Sequence, residues 1–347
     1  MERRAENLFY LYGGSLGGFF PALFLIENLR LNQEKAPVNY YIVTSRHKKI
    51  LDELAAGYPF IKIIEFNKRH CLRSLALFIR KLPAVNYVAT PPLFDPPTFK
   101  TAGFLGRLLT LLNRQSAFRS KTIGPDDRQN IFDLTKYIIR ELGFVIKKEK
   151  PDFQFTPDAT LLDNHQLAPQ TYIVVHPFAA NPSRSLPVDR WRALLKHLTD
   201  NYQSKIIISG GPNDKKAADL IVKDLSSQVE FGSSPKIINT VGQGNLQQRA
   251  TLIDRALGYI GVDTGITHLA CLLKKTSVII GNLSNPCWLP TYNPKAKILF
   301  NKERCLCQGN KRGDCFVHYN GVNYFRCLFF IPQREIELAT ADLFKDR

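Results

Sequence analysis

Short apolar runs alternate with amphipathic helical patterns along most of this 347-residue chain. In the first half, residues 8–12, 39–44 and 61–65 have the composition of buried strands, with helical patterns between them. After a polar interval the rhythm restarts at residues 172–176 and continues to residue 281. This alternation is typical of a parallel sheet covered by helices on both faces. The sequence therefore predicts an α/β fold with two Rossmann-like domains that face a central cleft.

The polar interval predicts the domain boundary. Residues 147–170 lack periodicity and contain three prolines, which indicates a linker. We predict an N-terminal domain over residues 1–165 and a C-terminal domain over residues 170–331, with a cysteine-rich segment at 305–327. The amphipathic residues 332–347 are predicted to form a helix that packs back on the N-terminal domain.

The sequence also predicts a cytoplasmic protein. A membrane-spanning helix needs an uninterrupted apolar stretch of about 18 residues, and none occurs. The first residues mix acids with bases and precede only a short apolar run, which does not fit a signal peptide. In a reducing compartment the seven cysteines are expected to remain thiols.

The formal net charge of +17 indicates an anionic partner. Between Lys62 and Lys121 there are eleven basic residues and two acidic ones, many of them among apolar residues. This pattern predicts amphipathic basic helices, either simply solvated or in contact with an anionic ligand or the inner face of a membrane. Nucleic acid is a weaker interpretation, because no zinc finger, basic heptad helix or aromatic RNA-binding motif accompanies the charge.

Three loops follow predicted strands of the second half, and each carries residues suited to a phosphate. Arg184 precedes one helix, Gly210 and Gly211 follow another strand, and Asp263-Thr264-Gly265 opens a third helix. Loops after parallel strands meet at one edge of the sheet, and a helix N-terminus there binds anions. As an alternative, Asp263 and Thr264 only cap their helix.

The order of these motifs resembles the ADP-heptose:lipopolysaccharide heptosyltransferases of glycosyltransferase family 9. The shared features are a His-Pro after a strand, a basic residue before Leu-Pro, a Gly-Gly-Pro, and an Asp-Thr-Gly-x-x-His. The resemblance covers about residues 172–290 and returns at residues 13–23. It implies an inverting enzyme of GT-B fold that needs no catalytic cofactor.

The resemblance also assigns site residues. Arg184 stands where the family has a phosphate-binding lysine, and Asp214 where it has an acid near the nucleoside. Ala179 and Ala180 replace residues that are often Thr or Ser in the family, so backbone amides would have to serve there. The donor-contacting positions of the family fall on Asp263, Thr264, Gly265 and His268.

One position departs from the family. Ser15 stands where the family has the aspartate proposed as the base for the acceptor hydroxyl, and a serine hydroxyl is a poor base without an activating partner. Three interpretations remain open: another carboxylate, such as Asp95 or Asp126, serves as base; donor positioning and leaving-group stabilisation suffice; or the protein binds a sugar nucleotide without turnover.

Four cysteines lie close together in the sequence: Cys305, Cys307, Cys315 and Cys327. Four thiolates can hold zinc or iron, although a Cys-x-Cys spacing is less specific than Cys-x-x-Cys. Some relatives of the family carry a comparable metal-binding group. The alternatives are therefore a structural metal site or unliganded thiols.

Together the resemblance implies transfer of heptose from ADP-heptose to an anionic lipopolysaccharide or lipooligosaccharide inner core, with peripheral contact at the inner membrane. The alternatives are a protein acceptor, as in autotransporter heptosyltransferases, another nucleotide sugar, a sugar-nucleotide-binding protein without activity, and a nucleic-acid-binding protein.

Overall fold

The computed structural model describes residues 7–12, 16–32, 39–44, 48–65, 85–89, 117–119, 130–223, 225, 236–284, 286–306 and 315–344. The chain divides into two compact units, Met1–Phe155 and Thr156–Arg347. Nearly all of the basic stretch 62–121, where amphipathic basic helices are predicted, lies outside the described residues.

The first unit is built on a parallel sheet with strand order β3-β2-β1-β4-β5. Helix α1 packs against α3. The predicted strands at 39–44 and 61–65 are found at those residues, whereas β5 was not predicted. The elements are β1 (Asn7–Tyr12), α1 (Phe19–Leu31), β2 (Asn39–Thr44), α2 (Lys48–Ala55), β3 (Ile61–Glu65), β4 (Val85–Ala89), β5 (Ala117–Arg119) and α3 (Ile131–Glu141).

Helix α1 is buried on nearly all sides because its sequence is almost wholly apolar. Its buried Asn28 ties it to the segment after α3: Oδ1 accepts hydrogen bonds from the amides of Lys147 and Lys148, and Nδ2 donates to the carbonyl of Phe24. A buried amide whose donor and acceptor are both satisfied costs little and fixes the path of the chain.

The second unit is built on a parallel sheet with strand order β11-β10-β9-β6-β7-β8. The strand order reverses between β6 and β9, which makes this pair the switch point of a Rossmann-like sheet. The elements are α4 (Thr160–Asn164), β6 (Tyr172–His176), α5 (Val188–Asn201), β7 (Lys205–Ile208), α6 (Lys215–Val222), β8 (Ile237–Asn239), α7 (Leu246–Asp254), β9 (Gly258–Val262), α8 (Gly265–Leu272), β10 (Ser277–Ile280) and β11 (Ala296–Leu299).

Beyond β11 the chain forms elements that were not predicted. Strands β12 (Phe316–Tyr319) and β13 (Val322–Phe325) pair as an antiparallel hairpin, and α9 (Arg326–Phe329) follows directly. The hairpin strands are only partly buried, so they lack the continuous apolar run that marks the parallel strands.

The last helix, α10 (Gln333–Thr340), belongs to the second compact unit, and its packing on the N-terminal domain stays a prediction. Its buried Ile336 and Ala339, with Leu343 after it, belong to the core around the six-stranded sheet. Phe344 stacks on Tyr202 with ring centroids 3.8 Å apart. The apolar face of α10 is thus buried against elements of its own unit.

Among the helices within the described ranges, none is long and apolar enough to cross a membrane.

Candidate functional site

The candidate site lies where the carboxyl ends of β6 and β9 meet. In the register of this pair His176, the last residue of β6, stands opposite Gly261, so the loops after both strands leave the sheet side by side. The loop after β6 carries Arg184, and Asp263 follows β9 directly. Ligands of open α/β sheets bind at such a switch point.

Arg184 and Asp263 are joined across this edge. The Nη2 group of Arg184 donates to the backbone carbonyl of Asp263 at 2.9 Å and to its carboxylate Oδ2 at 2.5 Å. The Asp263 side chain is only 3% exposed, against 34% for Arg184. The Nε of Arg184 has no hydrogen-bond partner among the described residues. A guanidinium has five N–H groups, so this pair leaves donors for a ligand.

Helix α8 begins beside this pair with its N-terminus open. Thr264 occupies the N-cap position in extended conformation, yet no side-chain cap hydrogen bond forms within the described part of the chain. Asp263 is engaged with Arg184 instead of capping the helix. Uncapped amides at a helix N-terminus attract anions through both hydrogen bonding and the helix dipole.

His268 lies in the same helix with its ring buried. Its Nδ1 is 2.8 Å from the hydroxyl of Tyr292, and its Nε2 is 3.9 Å from Asp263 Oδ1. Burial lowers the pKa of His268, and the charge of Arg184 lowers it further, whereas Asp263 opposes both. The ring is therefore neutral near pH 7, with its orientation set by Tyr292.

The loop after β6 is held in shape by its own side chains. Asn181 caps the short 3₁₀ turn Pro182–Arg184 by accepting from the Ser183 amide. Ser185 Oγ donates to the carbonyl of Pro177 at 2.5 Å and accepts from the indole N–H of Trp191 at 3.0 Å. Ala179 packs against the core, and Ala180 is exposed.

Asp214 lies at the end of β7, on the other side of β6 from Asp263. Its Oδ2 accepts from the Gly211 amide at 2.7 Å and closes the loop after β7. Burial raises the pKa of Asp214, partly offset by this hydrogen bond and by the charge of Arg249. The described contacts bring Arg184, Asp263 and His268 together and leave Asp214 in a separate loop.

His176 is buried at the switch point itself, with 6% exposure. Its Nδ1 has no hydrogen-bond partner among the described residues. Burial lowers the pKa of His176 to about 4, although a hydrogen bond with the Ser209 backbone opposes the shift. This histidine therefore stays neutral through the physiological range.

The pKa of His176 predicts acid sensitivity. The unfolded chain takes up this proton near pH 6.5 and the folded chain only near pH 4, so the free energy of unfolding falls as pH drops through that window. Across the whole window, the shifted pKa of His176 lowers the free energy of unfolding by about 3 kcal/mol, because each pKa unit corresponds to about 1.4 kcal/mol. Urea unfolding between pH 7 and 4.5 should show a shallower pH dependence for His176→Gln than for the native chain. His318→Gln, at an exposed histidine, should keep the native slope; identical slopes in all three proteins would contradict the prediction.

Ser15, Asp95 and Asp126, the residues considered for the base, lie outside the described residues. So does Cys307. Of the other cysteines in the predicted metal set, Cys315 and Cys327 are buried and Cys305 is partly buried. Burial raises the pKa of Cys327 to about 12, and the neighbouring Cys305 and Cys315 add to the shift. Within the described ranges, no group of three or more His, Cys, Asp or Glu side chains could hold a metal ion.

Two aromatic residues of the site were missed by sequence reasoning. Tyr292 hydrogen-bonds His268, and Trp288 packs edge-on against the same ring at 6.1 Å between centroids. Both follow β10, in a stretch with no periodic pattern, and only the Pro and Gly residues around them marked a loop. No sequence motif pointed to either side chain.

Each unit contains a parallel sheet of Rossmann-like strand order, as each domain of a GT-B glycosyltransferase does. The chain belongs to glycosyltransferase family 9 (heptosyltransferase), whose family model matches residues 102–316. It is therefore a glycosyltransferase. The family model thus matches the chain from residue 102, whereas the motifs that carry the resemblance begin at about residue 172. A search of curated proteins found no match.

Solved structures share this fold at low sequence identity. ADP-heptose lipopolysaccharide heptosyltransferase II of E. coli is 16% identical, with 98% of this chain and 99% of that chain covered and a TM-score of 0.67. A family 9 glycosyltransferase of Veillonella parvula is also 16% identical, with coverages of 100% and 99% and a TM-score of 0.68. The dodecameric iron-containing heptosyltransferase TibC of E. coli, in complex with ADP-D-β-D-heptose, is 14% identical, with coverages of 99% and 77% and a TM-score of 0.56. These similarities establish the fold.

Proposed function

We propose that this protein transfers heptose from ADP-heptose, with inversion, to a hydroxyl of a lipopolysaccharide or lipooligosaccharide inner core. The observation that carries the proposal is the Arg184–Asp263 pair beside the uncapped N-terminus of α8 at the switch point. A fixed guanidinium and free helix amides are complementary to a diphosphate. The TibC structure, which contains ADP-D-β-D-heptose, supports this choice of donor.

The chemistry assigned to these groups is stabilisation of the leaving group. The acceptor oxygen attacks the anomeric carbon, the bond from that carbon to the β-phosphate oxygen breaks, and ADP leaves with the bonding electrons. Negative charge then grows on the β-phosphate, where the Arg184 guanidinium and the amides of Gly265 and the next residues can bind it. Donors fixed in place before reaction lower the barrier without a reorganisation cost.

The other candidate residues have supporting roles in this proposal. Asp263 holds Arg184, while the neutral ring of His268 lies at the same helix start and can hydrogen-bond the donor. Asp214 would meet the nucleoside at the end of β7. The backbone at Ala179 and Ala180 would face the phosphates, because these side chains have no hydroxyl.

The proton of the acceptor hydroxyl needs a base, which stays unassigned. Ser15 occupies the position of the family's aspartate, and Asp95 and Asp126 are the alternatives proposed from the sequence. A second candidate function, sugar-nucleotide binding without transfer, is favoured by Ser15 alone.

The acceptor is proposed from the charge of the chain and from the family, whereas the donor is proposed from side-chain geometry. A net charge of +17 suits a phosphorylated saccharide at the inner face of the membrane. A protein acceptor or another nucleotide sugar would use the same donor site.

The test is ADP release from ADP-heptose with and without truncated inner-core lipooligosaccharide, with the acceptor followed by mass spectrometry. A heptose-sized mass gain that depends on both substrates is the expected result. Binding of ADP without a mass gain on lipooligosaccharide or on protein would favour the non-enzymatic alternative. A chain that binds neither ADP nor ADP-heptose would rule out the proposed donor.

A metal at Cys305, Cys307, Cys315 and Cys327 stays a prediction, supported by the iron-containing TibC. The described cysteines do not form a metal-binding group, and Cys307 lies outside the described residues. No step of the proposed transfer passes through a metal.

A further inference from the structure

Residues 315–331, here named the C-terminal brace, consist of the β12–β13 hairpin and helix α9. The brace contains none of the residues assigned to the donor. Its packing and hydrogen bonds nevertheless reach the Pro182–Arg184 turn, the start of α5 and the loop after β10, all at the carboxyl edge of the six-stranded sheet.

The first attachment is to the turn that carries Arg184. Strand β13 packs directly against the 3₁₀ turn Pro182–Arg184. Beside this contact the hydroxyl of Tyr319, on β12, donates to Asp189 Oδ2 at 3.3 Å. Asp189 lies in the first turn of α5, five residues after Arg184. The hairpin thus contacts the chain both at Arg184 and just beyond it.

Arg190, the next residue of α5, adds hydrogen bonds to the C-terminal end of the brace. Its guanidinium donates to the carbonyl of Phe329 at 2.7 Å and to that of Ile331 at 2.5 Å, and its Nε donates to Gln333 at 3.3 Å. These carbonyls stand at the C-terminal end of α9, where helix carbonyls lack partners within the helix. A single side chain therefore fastens the start of α5 to the end of the brace.

The second attachment is to the loop after β10. The Sγ of Cys327 accepts the amide N–H of Leu283 at 3.4 Å, and the carbonyl of Cys327 accepts that of Asn301 at 2.6 Å. Leu283, Leu289 and Cys327 form a small buried cluster of their own. The brace is thus anchored to the sheet edge on the β10 side as well as on the β6 side.

We propose that the C-terminal brace is a positioning element of the donor site, which holds the Pro182–Arg184 turn so that Arg184 stays paired with Asp263. This inference rests on the proposed function, because it takes the Arg184 guanidinium to bind the diphosphate. A turn held by neighbouring structure loses less conformational entropy when it binds a ligand. Tyr319 and Arg190 are then positioning residues, which act on the donor only through Arg184.

The test is a double-mutant cycle on ADP binding by the full chain. Tyr319→Phe and Arg190→Lys are each measured in the native and in the Arg184→Ala background, by titration with ligand-observed NMR. Each hydrogen bond is worth about 0.5–1.5 kcal/mol, so the Kd for ADP should rise about two- to tenfold in the native background. In the Arg184→Ala background the same changes should leave the Kd unaltered, since the group they position is gone.

His318→Ala is the matched control, because His318 is exposed on the same hairpin and bonds across it to Asn323 at 3.0 Å. It should leave ADP binding unchanged in both backgrounds. Circular dichroism checks that each variant folds. If Arg190→Lys lowers stability, Tyr319→Phe still tests the inference, because it removes only one oxygen atom.

Equal losses in both backgrounds, or no loss in the native one, would overturn the inference, because the brace would then support the fold alone. A native chain that does not bind ADP would overturn the proposed function, and this inference with it. The two failures are therefore distinguishable.

Discussion

Arg184→Ala should lower kcat/KM for ADP-heptose about 100-fold or more, the range found when a preorganised charge-stabilising donor is removed from an active site. The change removes the guanidinium that would neutralise the departing diphosphate. It also leaves the Asp263 carboxylate, 3% exposed, without its cationic partner and close to the incoming phosphates. Initial rates of ADP release, measured over a range of donor concentrations, give the effect on kcat and KM separately.

Arg184→Lys is the control for this prediction. The resemblance places Arg184 where the family has a lysine. An ammonium group keeps the positive charge of the guanidinium but lacks its planar fork of donors. We expect this variant to keep most of the activity. If alanine were tolerated as well as lysine, Arg184 would not be the phosphate-binding group, and the proposed donor geometry would have to be abandoned.

Trp191→Ala should lower the free energy of unfolding of the second unit by about 3–5 kcal/mol, the usual cost of truncating a buried aromatic side chain. Trp191 is 1% exposed in the core around the six-stranded sheet. Its indole N–H also donates to Ser185, which in turn holds Pro177 in the loop after β6. Urea unfolding followed by far-UV circular dichroism measures the loss, with each unit's transition fitted by itself.

Trp191→Phe separates packing from hydrogen bonding. It keeps an aromatic ring in the core but removes the N–H donor to Ser185, so it should cost clearly less than alanine. A loss below about 1 kcal/mol for Trp191→Ala would show that the indole site is not closely packed.

The strands of the second unit illustrate why some elements were predictable. Strand β6 is found at the predicted residues 172–176, and β9 (258–262) lies within the predicted strand–helix alternation, because a strand buried on both faces needs a continuous apolar run. The hairpin β12–β13 escaped prediction because its residues are only partly buried and gave no such run. Helix α4 was missed for a related reason: it is short and lies within a polar stretch.

The candidate site shows the same division. The order of the motifs predicts that Arg184 and Asp263 lie close together, because loops after parallel strands share one edge of the sheet, and the family resemblance adds His268 to this group. The motifs leave open whether Asp263 caps helix α8. In the structure its carboxylate pairs with Arg184 and does not cap the helix. Tyr292, 24 residues beyond His268, has no sequence signal at all.

The sequence by itself determined the α/β class, the family and the set of polar residues at one sheet edge, because apolar periodicity and short motifs are local properties of a chain. Only the tertiary structure decided that Asp263 pairs with Arg184, that α10 packs in the second unit, and that the brace fastens the Arg184 turn. Each of these is a contact between residues far apart in sequence. Such contacts depend on the path of the backbone and on the volume left between packed elements, which no single segment specifies.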